Sequence, residues 1–194
     1  MIDGVTAPTP PAVKSRLAAD RFAASNATTE RFFREHVDAI ALTCHSMAGR
    51  FQQGGRLFVC GEGAQRSDVA HVVVEFVHPV VVGKRALPAM SLPSVRDNEA
   101  KRALGALAHR GDLLMVLSAA TLEAEARGLL ASARAGGLLT IALVGAGGEA
   151  ALPADHQFTV PSTDRCIVQE IHEMLYHVLW ELVHVFLDHR TVGA

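Results

Sequence analysis

The chain has 194 residues, a net charge of -2 at neutral pH and a hydrophobic fraction of 49%, with a mean hydropathy of +0.23. This length suits one domain with a sizeable core, and the high apolar fraction predicts that an oligomer interface buries further surface. The small net charge and the scattered basic residues argue against nucleic acid as a partner, and no apolar run is long enough to predict a membrane span.

The N-terminal region is predicted to be a disordered tail followed by two helices. Residues 1–12 contain three prolines and form the tail. Residues 13–24 and about 29–53 show helical periodicity, and Thr28 is a plausible N-cap between them. Residues 13–194, including these helices, are expected to form a single domain. The apolar stripe of the second helix comprises Phe32, Phe33, Val37, Ile40, Ala41 and Cys44.

Short apolar runs alternate with helical patterns along the rest of the chain. Strands are predicted at residues 56–60, 86–92, 113–117, 138–144 and 156–160, and helices around residues 68–75 and at 96–108, 122–135 and 165–189. This alternation predicts an α/β fold with a doubly wound, flavodoxin-like parallel sheet of five strands. Ligand sites in such folds lie in the turns that follow the strands.

The cysteines give an indication of the redox environment. Cys44, Cys60 and Cys166 do not have the spacing of a metal site. Their odd number, and an N-terminus without the pattern of a secretion signal, predict free thiols in a reducing compartment. A cytoplasmic location is therefore expected.

Two pairs of polar residues carry the candidate chemistry. His71 and Glu75 are four residues apart, so they share one helical face. Gln169 and His177, eight apart on the last helix, also lie close to one face. The four side chains together could form a metal site or a proton-transfer pair, although His71 and Glu75 alone could equally be a surface pair.

Two motifs give these residues a context. A strand leads into Cys60-Gly61-Glu62-Gly63-Ala64-Gln65, and the last helix is preceded by Pro161-Ser162 and carries Gln169-Glu170-Ile171-His172. With His71, Glu75 and His177 at their spacings, the chain from about residue 29 onward resembles the SIS (sugar isomerase) domain family, and within it the phosphoheptose isomerases. The resemblance implies an SIS fold with N-terminal helices, a sugar or sugar-phosphate ligand, and a homotetramer.

The resemblance also implies roles for individual residues. Glu75 would be the base that moves a proton between C1 and C2 of the sugar, and His177 would be its acid partner. Some members of the family hold zinc, and the corresponding ligands here are His71, Glu75, Gln169 and His177, with other divalent metals left open. The substrate-binding residues would be Gly61, Glu62, Gly63, Ser118, Thr121 and Asp164.

The chain departs from the family pattern around the phosphate loop. Its loop reads Ser118-Ala119-Ala120-Thr121-Leu122-Glu123, without the glycine and with fewer side-chain donors. Glu123 occupies a helix N-terminus, where its charge would repel a phosphate. Residues 93–111 are also shorter than the family pattern. These departures argue against a phosphorylated heptose in the usual pose, unless Arg96 or Arg165 supplies the phosphate contact.

Three interpretations remain open from the sequence. The first is an aldose–ketose isomerase, with or without zinc, which the intact quartet favours. The second is a non-catalytic SIS protein, a ligand sensor or protein-binding regulator that resembles the replication-initiator-associating member of the group, which the altered loop favours. The third is a structural metal held by the same four residues.

Overall fold

The structure, a computed structural model, describes residues 10–61, 63–79, 81–147 and 151–191. Helices and strands alternate along the chain. Their bounds are α1 (Pro10–Gln52), β1 (Leu57–Gly61), α2 (Gln65–Val77), β2 (Ala89–Ser91), α3 (Glu99–Leu107), β3 (Leu113–Ser118), α4 (Ala124–Ala135), β4 (Leu139–Gly145), β5 (His156–Val160) and α5 (Arg165–Thr191). None of the helices in these ranges has the length and apolar character needed to span a membrane.

The five strands form one sheet in the order β2-β1-β3-β4-β5. Every pair of neighbouring strands is parallel. The order reverses at β1, because the chain moves to one edge for β2 and then back to β3 on the other side. This arrangement confirms the predicted α/β, doubly wound fold, in which the strand ends beside the reversal form a natural crevice.

Side chains alternate between the two faces of the sheet, as the period of a strand requires. In β1, Leu57 and Val59 point into the core shared with α1, α2 and α5. Phe58 and Cys60 point into the core shared with α3 and α4. Because the central strands are buried on both faces, they are continuous apolar runs, and this is why the sequence predicted them well.

The N-terminal region differs from its prediction, because α1 is one continuous helix of 43 residues. No break occurs at residues 25–28, and residues 10–12 belong to the helix instead of the tail; residues 1–9 lie outside the described part of the chain. The Thr28 hydroxyl does not cap a new helix but donates to the carbonyl of Ala24 at 2.8 Å. Arg21 also bonds to Glu170 on α5 at 3.0 Å. Contacts with α5 therefore override the weak local signals for a break.

Two other predicted elements are shorter in the structure. The edge strand β2 has three residues instead of seven, and Pro88, which has no N–H to donate, immediately precedes it. The helix predicted at 96–108 is a 3-10 turn over Arg96–Asn98 followed by α3. Asn98 has a φ of 56°, in the left-handed region, so the chain changes direction there before α3 begins.

His172 is a buried histidine on the face of α5 that packs against the sheet. Its side chain is completely buried, and its ring nitrogens have no hydrogen-bond partner of ordinary geometry among the described residues. Burial lowers the pKa of His172 to about 4, although the backbone of Val144 acts in the opposite direction. The imidazole is therefore neutral in the folded protein at neutral pH.

The lowered pKa of His172 predicts a dependence of stability on pH. Between its ordinary pKa of 6.5 and about 4, the unfolded chain binds a proton that the folded chain does not, so the free energy of unfolding falls as pH drops. The His172→Leu variant should lose less stability over this window, by up to about 1.4 kcal/mol per pH unit. Urea unfolding at several pH values checks this, with the exposed His109→Leu as control. Equal slopes for the wild type and His172→Leu would contradict the assignment.

Candidate active site

The packing of α2 against α5 brings together three titratable side chains. His71 and Glu75 lie one turn apart on α2, with 3.4 Å between Nε2 and Oε1. His177 on α5 reaches the same place: its Nε2 lies 3.3 Å from Nε2 of His71 and 4.0 Å from Oε1 of Glu75. The Glu75 side chain is only 13% exposed, so its carboxylate is held largely out of water between two imidazoles.

The three side chains fit the requirements of a metal ion. One ligand atom from each lies within 4.8 Å of the others. Two ligands bound to zinc at about 2.0–2.1 Å in a tetrahedral arrangement lie about 3.3–3.4 Å apart. The two shorter distances in the cluster, 3.3 Å and 3.4 Å, match this edge. Two imidazoles and a carboxylate are also the donor types that zinc prefers.

The second ring nitrogen of His71, Nδ1, also has polar neighbours. Its Nδ1 lies 2.9 Å from the hydroxyl of Tyr176 and 3.6 Å from a carboxylate oxygen of Glu173. Burial raises the pKa of Tyr176, and the nearby carboxylates, first among them Glu173, raise it further. The phenol therefore stays neutral and orients the ring of His71, which leaves Nε2 facing Glu75 and His177.

Gln169 on α5 is hydrogen-bonded to a buried carboxylate of α2. Its side-chain amide donates to Asp68 on α2 at 2.9 Å, and Gln65 donates to the other oxygen of Asp68 at 2.6 Å. Burial raises the pKa of Asp68, while the two amide donors partly offset this effect. The bond from Gln169 fixes which way its amide points, so its carbonyl oxygen is directed away from Asp68.

A cleft of about 380 Å³ lies at the carboxyl ends of β1 and β3. Of the predicted metal ligands, Gln169 lines this cleft, whereas His71, Glu75 and His177 do not. Gln169 and His177 are eight residues apart, which separates them by about 12 Å along α5. Gln169 lines the cleft and is hydrogen-bonded to Asp68, so it connects the cleft with α2, the helix that carries His71 and Glu75. The predicted substrate-binding residues that line the cleft are Gly61, Gly63, Ser118 and Thr121.

One predicted substrate-binding residue, Asp164, lies elsewhere. Asp164 is not among the residues that line the cleft. Its carboxylate instead accepts bonds from the backbone N–H groups of Cys166 at 2.9 Å and Ile167 at 3.3 Å, and it bonds to Arg21 at 3.3 Å. It therefore acts as the N-cap of α5. Glu62 lies outside the described residues.

The structure adds two residues that the sequence did not single out as part of the site, Asp68 and Tyr176. Asp68 stands three residues before His71 on the same helical face, a spacing that could have indicated it. Tyr176 directly precedes His177 in the chain, but nothing in the sequence pairs it with a residue more than a hundred positions away.

Comparison with known proteins identifies the family of the chain. Residues 22–145 match the model of the SIS domain family. Because the match covers more than half of the chain, the protein belongs to the SIS domain family.

Its relatives narrow the group within the family. The phosphoheptose isomerase of Solidesulfovibrio magneticus is 28% identical over 89% of this chain and 90% of its own length. That of Synechocystis sp. is 30% identical over 84% and 91%, respectively. The structure of phosphoheptose isomerase GmhA from Neisseria gonorrhoeae has the same fold, with a TM-score of 0.74 at 21% identity over 88% of this chain and 98% of that one. The chain is thus a divergent homologue of the phosphoheptose isomerases.

The cluster predicts divalent metal binding that depends on its two histidines. Wild-type protein should bind about one zinc ion per chain, and His71→Ala or His177→Ala should lower the affinity at least tenfold, because each change removes a ligand. Titration followed by calorimetry measures this. His109→Ala, which removes an exposed histidine outside the cluster, is the matched control. Equal zinc affinity in all four proteins would show that the cluster holds no metal.

Proposed function

We propose that the protein is an aldose–ketose isomerase that acts on a sugar phosphate. The observation that supports this most directly is the Glu75 carboxylate, held within 4.0 Å of two imidazoles in a largely buried position. The relatives carry the name phosphoheptose isomerase, which makes a sugar phosphate the expected substrate class. The cleft of about 380 Å³ has room for the phosphate end of such a ligand, whose reacting carbons would extend past Gln169 towards Glu75.

The reaction moves one proton between neighbouring carbons and another between their oxygens. Glu75 removes the proton from the carbon beside the carbonyl, which gives an enediolate, and returns it to the former carbonyl carbon. His177, with 42% of its side chain exposed, is accessible enough to move a proton between the two oxygens. The carboxylate ends the cycle ionised, and the imidazole ends it in its starting state.

His71, Glu75 and His177 would hold a divalent metal, with Gln169 as the expected fourth ligand; zinc is the first candidate. A metal held there would supply positive charge that polarises a sugar carbonyl and stabilises a developing negative oxygen. The carboxylates of Asp68 and Glu173, close to the imidazole of His71, favour a cation at this position. Tyr176 and Asp68 then act as positioning residues, because they orient His71 and Gln169.

A second candidate function is ligand binding without turnover. The loop after β3 favours it, since Ala119 and Ala120 offer no side-chain donors and Glu123 is negative. A sensor or protein-binding regulator of this kind would bind a sugar phosphate in the cleft but would not exchange its C1 or C2 protons with solvent. Loss of signal from these protons in deuterated buffer, followed by NMR, separates the two functions.

The isomerase proposal predicts the effect of removing the base. Glu75→Gln should leave the fold intact and lower kcat on a sedoheptulose or other ketose phosphate by about 10²–10⁴-fold, because an amide cannot accept the proton. A coupled isomerase assay measures kcat, and circular dichroism checks the fold. Glu181→Gln, an exposed change further along α5, should retain activity. Unchanged turnover in Glu75→Gln would refute the proposed role.

We also propose a homo-oligomer, with a tetramer as the expected state. Large apolar side chains are exposed along α1, including Leu17 at 63%, Phe22 at 69% and Leu42 at 60%. Contact of these side chains with water is unfavourable, and further copies of the chain could cover them. Sedimentation should give four chains, and Leu42→Glu should yield smaller species, whereas Leu107→Glu on α3 should not. A monomer at all concentrations would contradict the proposal.

A further inference from the structure

The cleft at the carboxyl ends of β1 and β3 is lined by charged side chains of both signs. Two arginines line it, Arg96 from the 3-10 turn and Arg165 from the first residue of α5. Glu123, at the start of α4, is the acidic residue among the described residues that line it. The described lining therefore carries a net positive charge, although the whole chain is slightly acidic.

The loop between β3 and α4 has few groups left for a ligand. The Ser118 hydroxyl donates to the carbonyl of Thr121 at 3.3 Å and accepts from the backbone N–H of Ala120 at 3.2 Å. Ala119 and Ala120 contribute no side-chain donor, and Glu123 would repel an anion. Thr121 is the other hydroxyl of this loop that lines the cleft, and the loop has no cationic side chain, so the positive charge that a phosphate needs must come from another part of the wall.

Hydrogen bonds fix the backbone at or next to both arginines. Arg165 begins α5 directly after Asp164, whose carboxylate accepts bonds from the N–H groups of Cys166 and Ile167. The backbone N–H of Arg96 donates to the Ser94 hydroxyl at 3.1 Å. The two side chains enter the cleft from segments 69 positions apart in sequence (165 − 96). Two arginines in the lining of one cleft suit a phosphate dianion, because each guanidinium can donate two hydrogen bonds.

We propose that Arg96 and Arg165 bind the phosphate group of the ligand and so replace the loop as the main determinant of phosphate recognition. This inference rests on the proposed sugar-phosphate ligand and adds the residues that select it. It also assigns a role to Glu123. Its carboxylate weakens anion binding in the same cleft and limits how tightly phosphate alone is held.

The test uses inorganic phosphate as the probe and the full chain after removal of metal by a chelator, so that phosphate cannot bind through a metal ion. Calorimetry should show saturable binding by the wild type. Arg96→Gln and Arg165→Gln should each weaken it about tenfold or more. The phosphate affinity of Arg165→Lys should lie between those of the wild type and Arg165→Gln, because lysine keeps the positive charge but lacks the paired N–H donors of a guanidinium. Glu123→Gln should tighten binding severalfold.

Two controls place the effect in the cleft. Arg66→Gln removes the same charge from an exposed position on α2 that does not line the cleft, and it should leave the phosphate affinity within about twofold. Cys166 lines the cleft and is the exposed cysteine of the three, all of which lie in described segments. Phosphate should slow its alkylation in the wild type and not in the Arg96→Gln, Arg165→Gln double variant.

The outcomes separate this inference from the proposed isomerase. No phosphate binding by the wild type, or equal binding by the wild type and the folded arginine variants, would overturn the arginine proposal whether or not the protein turns over a sugar phosphate. Arginine-dependent phosphate binding without any isomerase activity would support the inference and refute the isomerase. Circular dichroism of each variant shows whether a loss of binding is caused by unfolding. If Arg165→Gln does not fold, the phosphate affinity of Arg165→Lys is compared with that of the wild type instead.

Discussion

The contact between α2 and α5 on one face of the sheet is the constraint on which the candidate site depends. His71 and His177 are 106 positions apart in the chain, yet their Nε2 atoms are 3.3 Å apart. Each helix is held there by its own buried apolar side, with Val72 and Phe76 on α2 and residues such as Leu175 on α5. The polar cluster is therefore positioned by apolar packing, and the sheet acts as the rigid support for both helices.

The polar groups at this contact are arranged so that each buried charge has a partner. Asp68 is 5% exposed, and it accepts bonds from the amides of Gln65 and Gln169. An isolated carboxylate at this depth would be costly, whereas one with two amide donors is tolerated. The same bonds connect the cleft to α2, because Gln169 lines the cleft and donates to Asp68. A change at Asp68 would therefore affect both the cleft wall at Gln169 and the helix that carries His71 and Glu75.

The sequence was informative where the signal is local. The buried strands were found because each is an apolar run, and His71 with Glu75 was found because four residues make one helical turn. The continuity of α1 was missed, since Ser25, Asn26 and Thr28 resemble a helix end when their contacts with α5 are unknown. Val37 belongs to the predicted apolar stripe of this helix but is 61% exposed. The link from Asp68 to Gln169 spans 101 residues, and no local pattern could have predicted it.

The contacts between α1 and the beginning of α5 have a consequence for how the protein tolerates mutation. Arg21 bonds to both Asp164 and Glu170, and the Ser25 hydroxyl donates to Glu170. Arg21 and Ser25 are far in sequence from the residues that line the cleft. Their bonds nevertheless hold the first turns of α5 in place, and these turns carry Arg165 and Gln169, which line the cleft. A systematic survey of substitutions should therefore find positions in α1 where ligand affinity changes while the fold survives. Substitutions in α1 would change ligand affinity because α1 fixes the position of α5, although no α1 residue lines the cleft among the described residues.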